Sequence, residues 1–194
     1  MGIGGELALD ATNGGHASQL GRTQQQSWRS EQRLIRAARD GSAEAFETLY
    51  RRSWPIAYRT AYLIVRDAAA AEDIAQEAFL GAIRSLDGFD RRRPFAPWLH
   101  RIVANRAIDW ARARAHRREV GDAPLGALSA APDESLGNVA DALAGLPPEQ
   151  RAVVVLRYLL EYTPGEIAHL LDLPRGTVNS RMRRALDALG GELE

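Results

Sequence analysis

Four histidines, 25 carboxylates and 25 basic side chains are the groups in this 194-residue chain that could do chemistry. His16, His100, His116 and His169 show no metal-ligand spacing. There is no cysteine, which excludes a disulfide framework, an iron–sulfur cluster and a thiolate zinc site. No nucleophile elbow and no phosphate-cradling glycine loop occurs. No catalytic residue, metal or cofactor is therefore expected. What remains is arginine: all 25 basic residues are arginine and none is lysine. Its planar fork suits phosphate and base recognition, although a GC-rich genome gives the same bias.

Zero net charge hides a segregation. Nine arginines stand against three aspartates from Asp87 to Arg118, a local net of +6. Five acids and no base follow from Glu119 to Gly145, then four arginines and no acid from Pro174 to Ala185. Two basic patches around an acidic stretch fit a polyanion held at two places. Chance clustering on solvated helix faces is the plain alternative for either patch alone.

The elements that must position these patches read as helical almost throughout. Residues 1–27 are Gly- and Gln-rich with little periodicity, an expected disordered tail. One helix is expected from Ser30 to Arg39, closed by Asp40-Gly41. A second runs from the Ser42 N-cap to Val65, with Pro55 kinking it. Asp67 can cap a third, over 68–86, and a fourth spans 95–116. Gly121, Pro124, Gly126 and Pro132 mark a linker over 118–137. The expectation is an all-α chain of two small helical domains, 28–117 and 138–194, on a flexible tether, the second containing a helix-turn-helix.

Three helices carry information. In the third, Ala75, Ala78, Phe79, Ala82 and Leu86 share a core face. Opposite them lie Asp73, Gln76, Glu77 and Arg84, with Leu80 among them, an apolar anchor ringed by polar groups as in a protein-docking face. A solvated face with one stray leucine has the same geometry. In the fourth, Phe95, Leu99, Ile102, Val103 and Trp110 form the expected buried stripe. Trp98, Asn105 and Asp109 share a neighbouring edge flanked by Arg101 and Arg112, a combination able to stack on and hold a nucleic-acid strand. Trp98 as plain core is the simpler alternative, and Arg106 could pair with Asp109. Near the C-terminus, Thr163-Pro164-Gly165-Glu166 is a capping box, and Asp172-Leu173-Pro174 makes a turn. In the next helix Val178, Met182, Ala185, Leu186 and Leu189 face inward, while Thr177, Ser180, Arg183 and Arg184 point away, as a major-groove recognition helix requires.

Glu72-Asp73-Ile74-Ala75-Gln76-Glu77-Ala78-Phe79, then Phe95-x-x-Trp98-Leu99-x-Arg101-Ile102 with Asn105 and Asp109, resembles region 2 of extracytoplasmic-function sigma factors, in the sigma-70 family. Leu146-Pro147-x-x-Gln150-Arg151, Glu166-Ile167-Ala168 and Gly176-Thr177-Val178-x-Ser180-Arg181-x-x-Arg184-Ala185 resembles their region 4. The resemblance covers about residues 30–190 in order, with a linker where the family has one. It implies that Asp73, Gln76, Glu77, Leu80 and Arg84 dock on the clamp helices of the largest subunit of core RNA polymerase. It further implies that the helix over 95–112 and the loop before it melt and read promoter DNA at the minus-10 element. The residues concerned are Arg91, Arg92, Arg93, Trp98, Arg101, Asn105, Asp109 and Arg112, with a flipped base near Asp87–Phe95. Asn179, Ser180, Arg183 and Arg184 would read the minus-35 element, with Thr177 beside them and Arg175 and Arg181 on phosphates. The helical wheel puts Asn179 nearer the core flank. An anti-sigma factor covering these faces is implied as a further partner.

A polymerase-independent helix-turn-helix regulator is the rival reading, but it leaves the Leu80 stripe and the Trp98 edge unexplained. No apolar run of about 18 residues exists, so no stable membrane insertion is expected. Without a basic start and apolar stretch no secretory signal is expected, and a reducing cytoplasm is the expected compartment.

Overall fold

The computed structural model describes residues 28–90, 92–119 and 134–191. The expected disordered tail, most of the expected linker and Arg91 lie outside the described residues. Within them all regular structure is helical, and the order is α1 (28–39), α2 (Ala43–Val65), α3 (Ala68–Arg84), a 3-10 turn (Leu86–Gly88), α4 (Phe95–Glu119), α5 (Glu134–Ala142), α6 (Pro148–Tyr158), α7 (Pro164–Leu171) and α8 (Arg175–Gly191).

Local chemistry sets most of the boundaries. Gly41, at φ 93°, lets the chain turn out of α1. The Ser42 hydroxyl accepts from the Ala45 N–H and starts α2, and Asp67 does the same for α3 through Ala70. α2 stays one helix through Pro55 and ends on Arg66 in the left-handed region. α3 stops two residues earlier than its apolar pattern suggests, because Ser85 caps it and Leu86–Gly88 tighten into the 3-10 turn. α4 runs three residues further than expected, and α5 begins inside the segment read as linker.

Helices α2, α3 and α4 pack through small residues. Ala71, Ala75, Ala78 and Ala82 of α3 and Ala104 and Ala107 of α4 are fully buried, which lets the two helices and α2 approach closely. Along one face of α2, Phe46, Tyr50, Trp54, Tyr58 and Tyr62 recur every four residues and form a ladder of ring contacts, with Phe79 of α3 set edge-on to Tyr50. Six consecutive residues at the end of α2, Thr60 to Val65, are buried. A helix buried all round must be covered on more than one side. The second cover is α6, itself buried from Arg151 to Leu156. α2 and α4 pack on α6, α4 also on α7, and α2 also on α5. The two helical domains are thus closed against each other across a seam.

Candidate functional site

The side chains singled out by the sequence fall on three surfaces. On α3, Asp73, Gln76, Glu77, Leu80 and Arg84 are all exposed on one stripe, together with Glu72. Leu80 is 49% exposed, one of the few large apolar side chains left in water among the described residues. Gln76 Nε2 donates to Glu72 Oε1 at 3.3 Å. Glu77 is joined to α4: Arg106 Nη1 reaches its Oε2 at 2.7 Å. The guanidinium lies across Gly81, where an added Cβ would come within 3.3 Å of Arg106 Nη2. Arg106 therefore does not pair with Asp109. Asp109 instead lies 3.8 Å from Arg112.

The second surface is the start of α4 and the loop before it. Phe89, Phe95 and Trp98 form a cluster with ring centroids 4.7 to 6.1 Å apart. Phe95 and Phe89 are buried, and Trp98 is half-buried, so part of its ring is left outside the core. Arg92, Arg93, Arg101, Asp109 and Arg112 are exposed and Asn105 is half-buried. Asp90 shapes the loop by accepting from the Arg92 N–H at 3.0 Å. The buried stripe of α4 differs in part from expectation. Phe95, Leu99 and Val103 are inside, but Ile102 and Trp110 are only half-buried, and Ala107, Ile108 and Ala111 complete the stripe. The four-residue step from 95 to 111 tracks the core better than the three-residue steps, and Trp110 lies instead under Arg114, 5.2 Å from its ring.

The third surface is α8. The helix before it, α7, starts on the capping box, in which Glu166 accepts from the Thr163 N–H and from the Thr163 hydroxyl, each at 2.7 Å, and the Thr163 hydroxyl accepts from the Glu166 N–H. The Thr163 N–H and then its hydroxyl, both donating to the carboxylate, hold the Glu166 carboxyl below its usual range. Asp172, at φ 54°, turns the chain toward α8. Arg175, Asn179, Arg183 and Arg184 are exposed; Thr177, Ser180 and Arg181 are half-buried. Asn179 is thus on the open face and not at the core flank. Leu186, expected inside, is 42% exposed, and Met182 and Leu189 are half-buried. Val178 and Ala185 alone are fully inside because α7 and α6 touch only that narrow strip. Arg184 bonds back to Ser180, so the hydroxyl and the guanidinium form one polar unit.

Periodicity gave no hint of the groups that join the domains. Arg151 is 8% exposed and donates to the Ile64 and Leu146 carbonyls at 2.6 and 2.8 Å. Burial and then the nearby Arg66 charge bring its pKa down to about 10. His100 Nδ1 lies 2.8 Å from the Tyr162 hydroxyl, and burial depresses the ring to about 4. Arg66 pairs with Asp141 at 2.9 Å and Arg112 with Glu149 at 2.5 Å. The residue types were visible, but partners 37 to 87 positions apart leave no periodic signal.

Two helical modules, one with an acidic docking stripe and an arginine-flanked aromatic edge, the other a helix-turn-helix, define a sigma-type transcription protein. The family description "Sigma-70 region 2" matches residues 49–117, and "Sigma-70, region 4" matches residues 136–189. The ECF RNA polymerase sigma factor SigW of Bacillus subtilis is 30% identical over 176 residues, covering 82% of this chain and 94% of that one. The ECF RNA polymerase sigma factor SigM of Mycobacterium tuberculosis is 37% identical over 163 residues, 81% of each chain. Among solved structures, CnrH in complex with the cytosolic domain of CnrY superposes with a TM-score of 0.64 at 30% identity, over 84% of this chain and 96% of that chain. RpoE in complex with the anti-sigma factor NepR from Bartonella quintana has the same TM-score at 23% identity, over 78% and 98%, a likeness of fold. The chain belongs to the extracytoplasmic-function sigma factors of RNA polymerase. Among the described residues no helix is long and apolar enough to cross a membrane.

Proposed function

We propose that this sigma factor works through its three surfaces in turn. The region-2 domain, 28–117, docks on the clamp helices of the largest subunit of core RNA polymerase through Asp73, Gln76, Glu77, Leu80 and Arg84. The same domain captures the minus-10 strand along Trp98, Arg101, Asn105, Asp109 and Arg112, with the arginine loop 91–93 beside it. The region-4 domain, 138–194, reads the minus-35 element through Asn179, Ser180, Arg183 and Arg184, with Arg175, Thr177 and Arg181 supporting. The segment 118–137 tethers the two. Its work is recognition rather than catalysis, it takes place in the cytoplasm, and an anti-sigma factor restrains it, as CnrY and NepR accompany the related structures.

The observation that supports the docking assignment most directly is Leu80, half in water at the centre of a polar ring. Strand opening costs about 1.4 kcal/mol per base-pair step in lost stacking. Capture of an unstacked base returns about 1–3 kcal/mol, so a few contacts at the Trp98 edge offset a short bubble. Run-off transcription on a genomic DNA library, with core polymerase alone and with this protein, tests the reading. New starts sharing two upstream elements are expected. No new starts, from a protein that does not co-purify with core polymerase, would overturn it.

A further inference from the structure

One strongly charged face lies outside the three surfaces described above. The first helix, α1 (28–39), carries Arg29, Arg33, Arg36 and Arg39 against the single Glu31, a local net of +3. All four arginines are exposed. Among the described residues only Arg39 has a carboxylate within ion-pair distance, Asp40 at 3.8 Å. At about 100° per residue, Arg29, Arg33 and Arg36 share about 60° of the helix circumference. Leu34, Ile35 and Ala38 lie on the opposite side, Ile35 buried and the other two packed against the core. The helix is therefore anchored by its apolar side and presents its arginines from a fixed element. A groove of about 520 Å³ runs beside them, lined by Trp28, Arg29, Gln32, Arg33 and Arg36, with no acid among these residues.

The chemistry selects the partner. Guanidiniums without carboxylate partners, aligned on a rigid helix, suit an anion rich in acceptor oxygens. A lipid surface does not fit, because an interfacial helix must offer its apolar face, and that of α1 is spent in the core. A single strand is held on a row of stacking rings, and α1 carries only Trp28. A duplex fits on spacing. The three arginines span about 10 Å along the helix axis, and double-stranded DNA presents about one charge per 1.7 Å of its own axis, so each guanidinium has a phosphate within reach.

We propose that the exposed face of α1 is a fourth nucleic-acid surface, on which Arg29, Arg33 and Arg36 hold phosphates of duplex DNA without reading its sequence. Affinity gained there is the same for every sequence and falls with salt, unlike that of the base-reading side chains on α8. Promoter DNA as the biological partner rests on the sigma reading; the phosphate chemistry does not.

The test follows the anisotropy of a labelled random-sequence 30-base-pair duplex bound by the full chain, between about 50 and 200 mM salt. R29Q/R33Q/R36Q should bind at least tenfold more weakly at the lowest salt. Its plot of log affinity against log salt should be shallower by about 2 to 3, because each phosphate contact contributes about 0.9. R29K/R33K/R36K keeps the charges and should keep the slope, a rescue that a merely structural role would not give. The same differences are expected in an R183Q/R184Q background, where contacts at α8 cannot mask those at α1. If the triple glutamine variant loses its helical circular dichroism, the single variants R29Q, R33Q and R36Q are read instead, each expected to remove about 0.9 from the slope. A slope unchanged from wild type overturns the proposal. So does an unchanged slope together with lost co-purification with core polymerase, which would make this face a protein contact. If wild type directs no new starts with core polymerase while the slope still responds to the variants, the sigma assignment has failed and α1 stands as a duplex-binding face.

Discussion

Acidification should weaken this fold through His100 in a way one substitution can isolate. The ring is 6% exposed, and burial holds it at about 4 in place of 6.5. Nδ1 shares a hydrogen bond with the Tyr162 hydroxyl, and Nε2 is buried with no partner. The folded protein therefore favours the neutral ring, and the unfolded chain takes up the proton first as pH falls. The contribution is intact above pH 6.5 and is lost between 6.5 and 4. The slope within that window is about 1.4 kcal/mol per pH unit. The loss amounts to about 2 kcal/mol at pH 5 and about 3 kcal/mol at pH 4. His100→Gln keeps a polar partner for Tyr162 and removes the proton. Urea unfolding followed by circular dichroism at pH 7.5 and 5.0 should show wild type losing about 2 kcal/mol more than H100Q. Glu149 and Glu166, both held below their usual range, also destabilise on acidification, but equally in both proteins. Equal losses in the two would refute the assignment of the acid response to this ring.

Leu80→Asp should reduce co-purification with core polymerase more than tenfold and leave duplex DNA affinity unchanged, measured by pull-down and fluorescence anisotropy. Gly81→Ala should raise stability by up to about 1 kcal/mol, because it removes a mid-helix glycine and needs only the tip of Arg106 to move; a lower Tm would show that the Arg106–Glu77 bridge matters more. Arg183→Ala should cost about 1–3 kcal/mol against the correct minus-35 base and little against other sequences if it reads a base edge. A uniform loss with a shallower salt dependence would make Arg183 a phosphate contact instead.

Local features were the legible ones. Ser42, Asp67 and the Thr163–Glu166 box mark helix starts because each bond spans three residues. The α3 stripe was readable because one straight helix of 17 residues keeps its period. On α4 and α8 the same reasoning slipped at Ile102, Trp110, Asn179 and Leu186, where the width of the partner surface, not the helix period, decides what is inside. The aromatic ladder of α2 has a strict four-residue spacing and could have been read from Phe46, Tyr50, Trp54, Tyr58 and Tyr62. Arg106–Glu77, His100–Tyr162 and Arg151–Ile64 could not, since each depends on how separate helices come together.

Arg151 gives the seam an unusual thermodynamic character. Its guanidinium is shut away from water with two carbonyls for company, a third nitrogen unpaired and another arginine as its charged neighbour. Parting the domains returns that cation to its hydration shell, and much of what is given up in bonds is recovered as solvation. Hydration of charged groups weakens on warming, so the recovery shrinks as temperature rises. The polar part of this joint thus runs opposite to an ordinary melting contact: warmth makes it harder to hydrate, and cold loosens it.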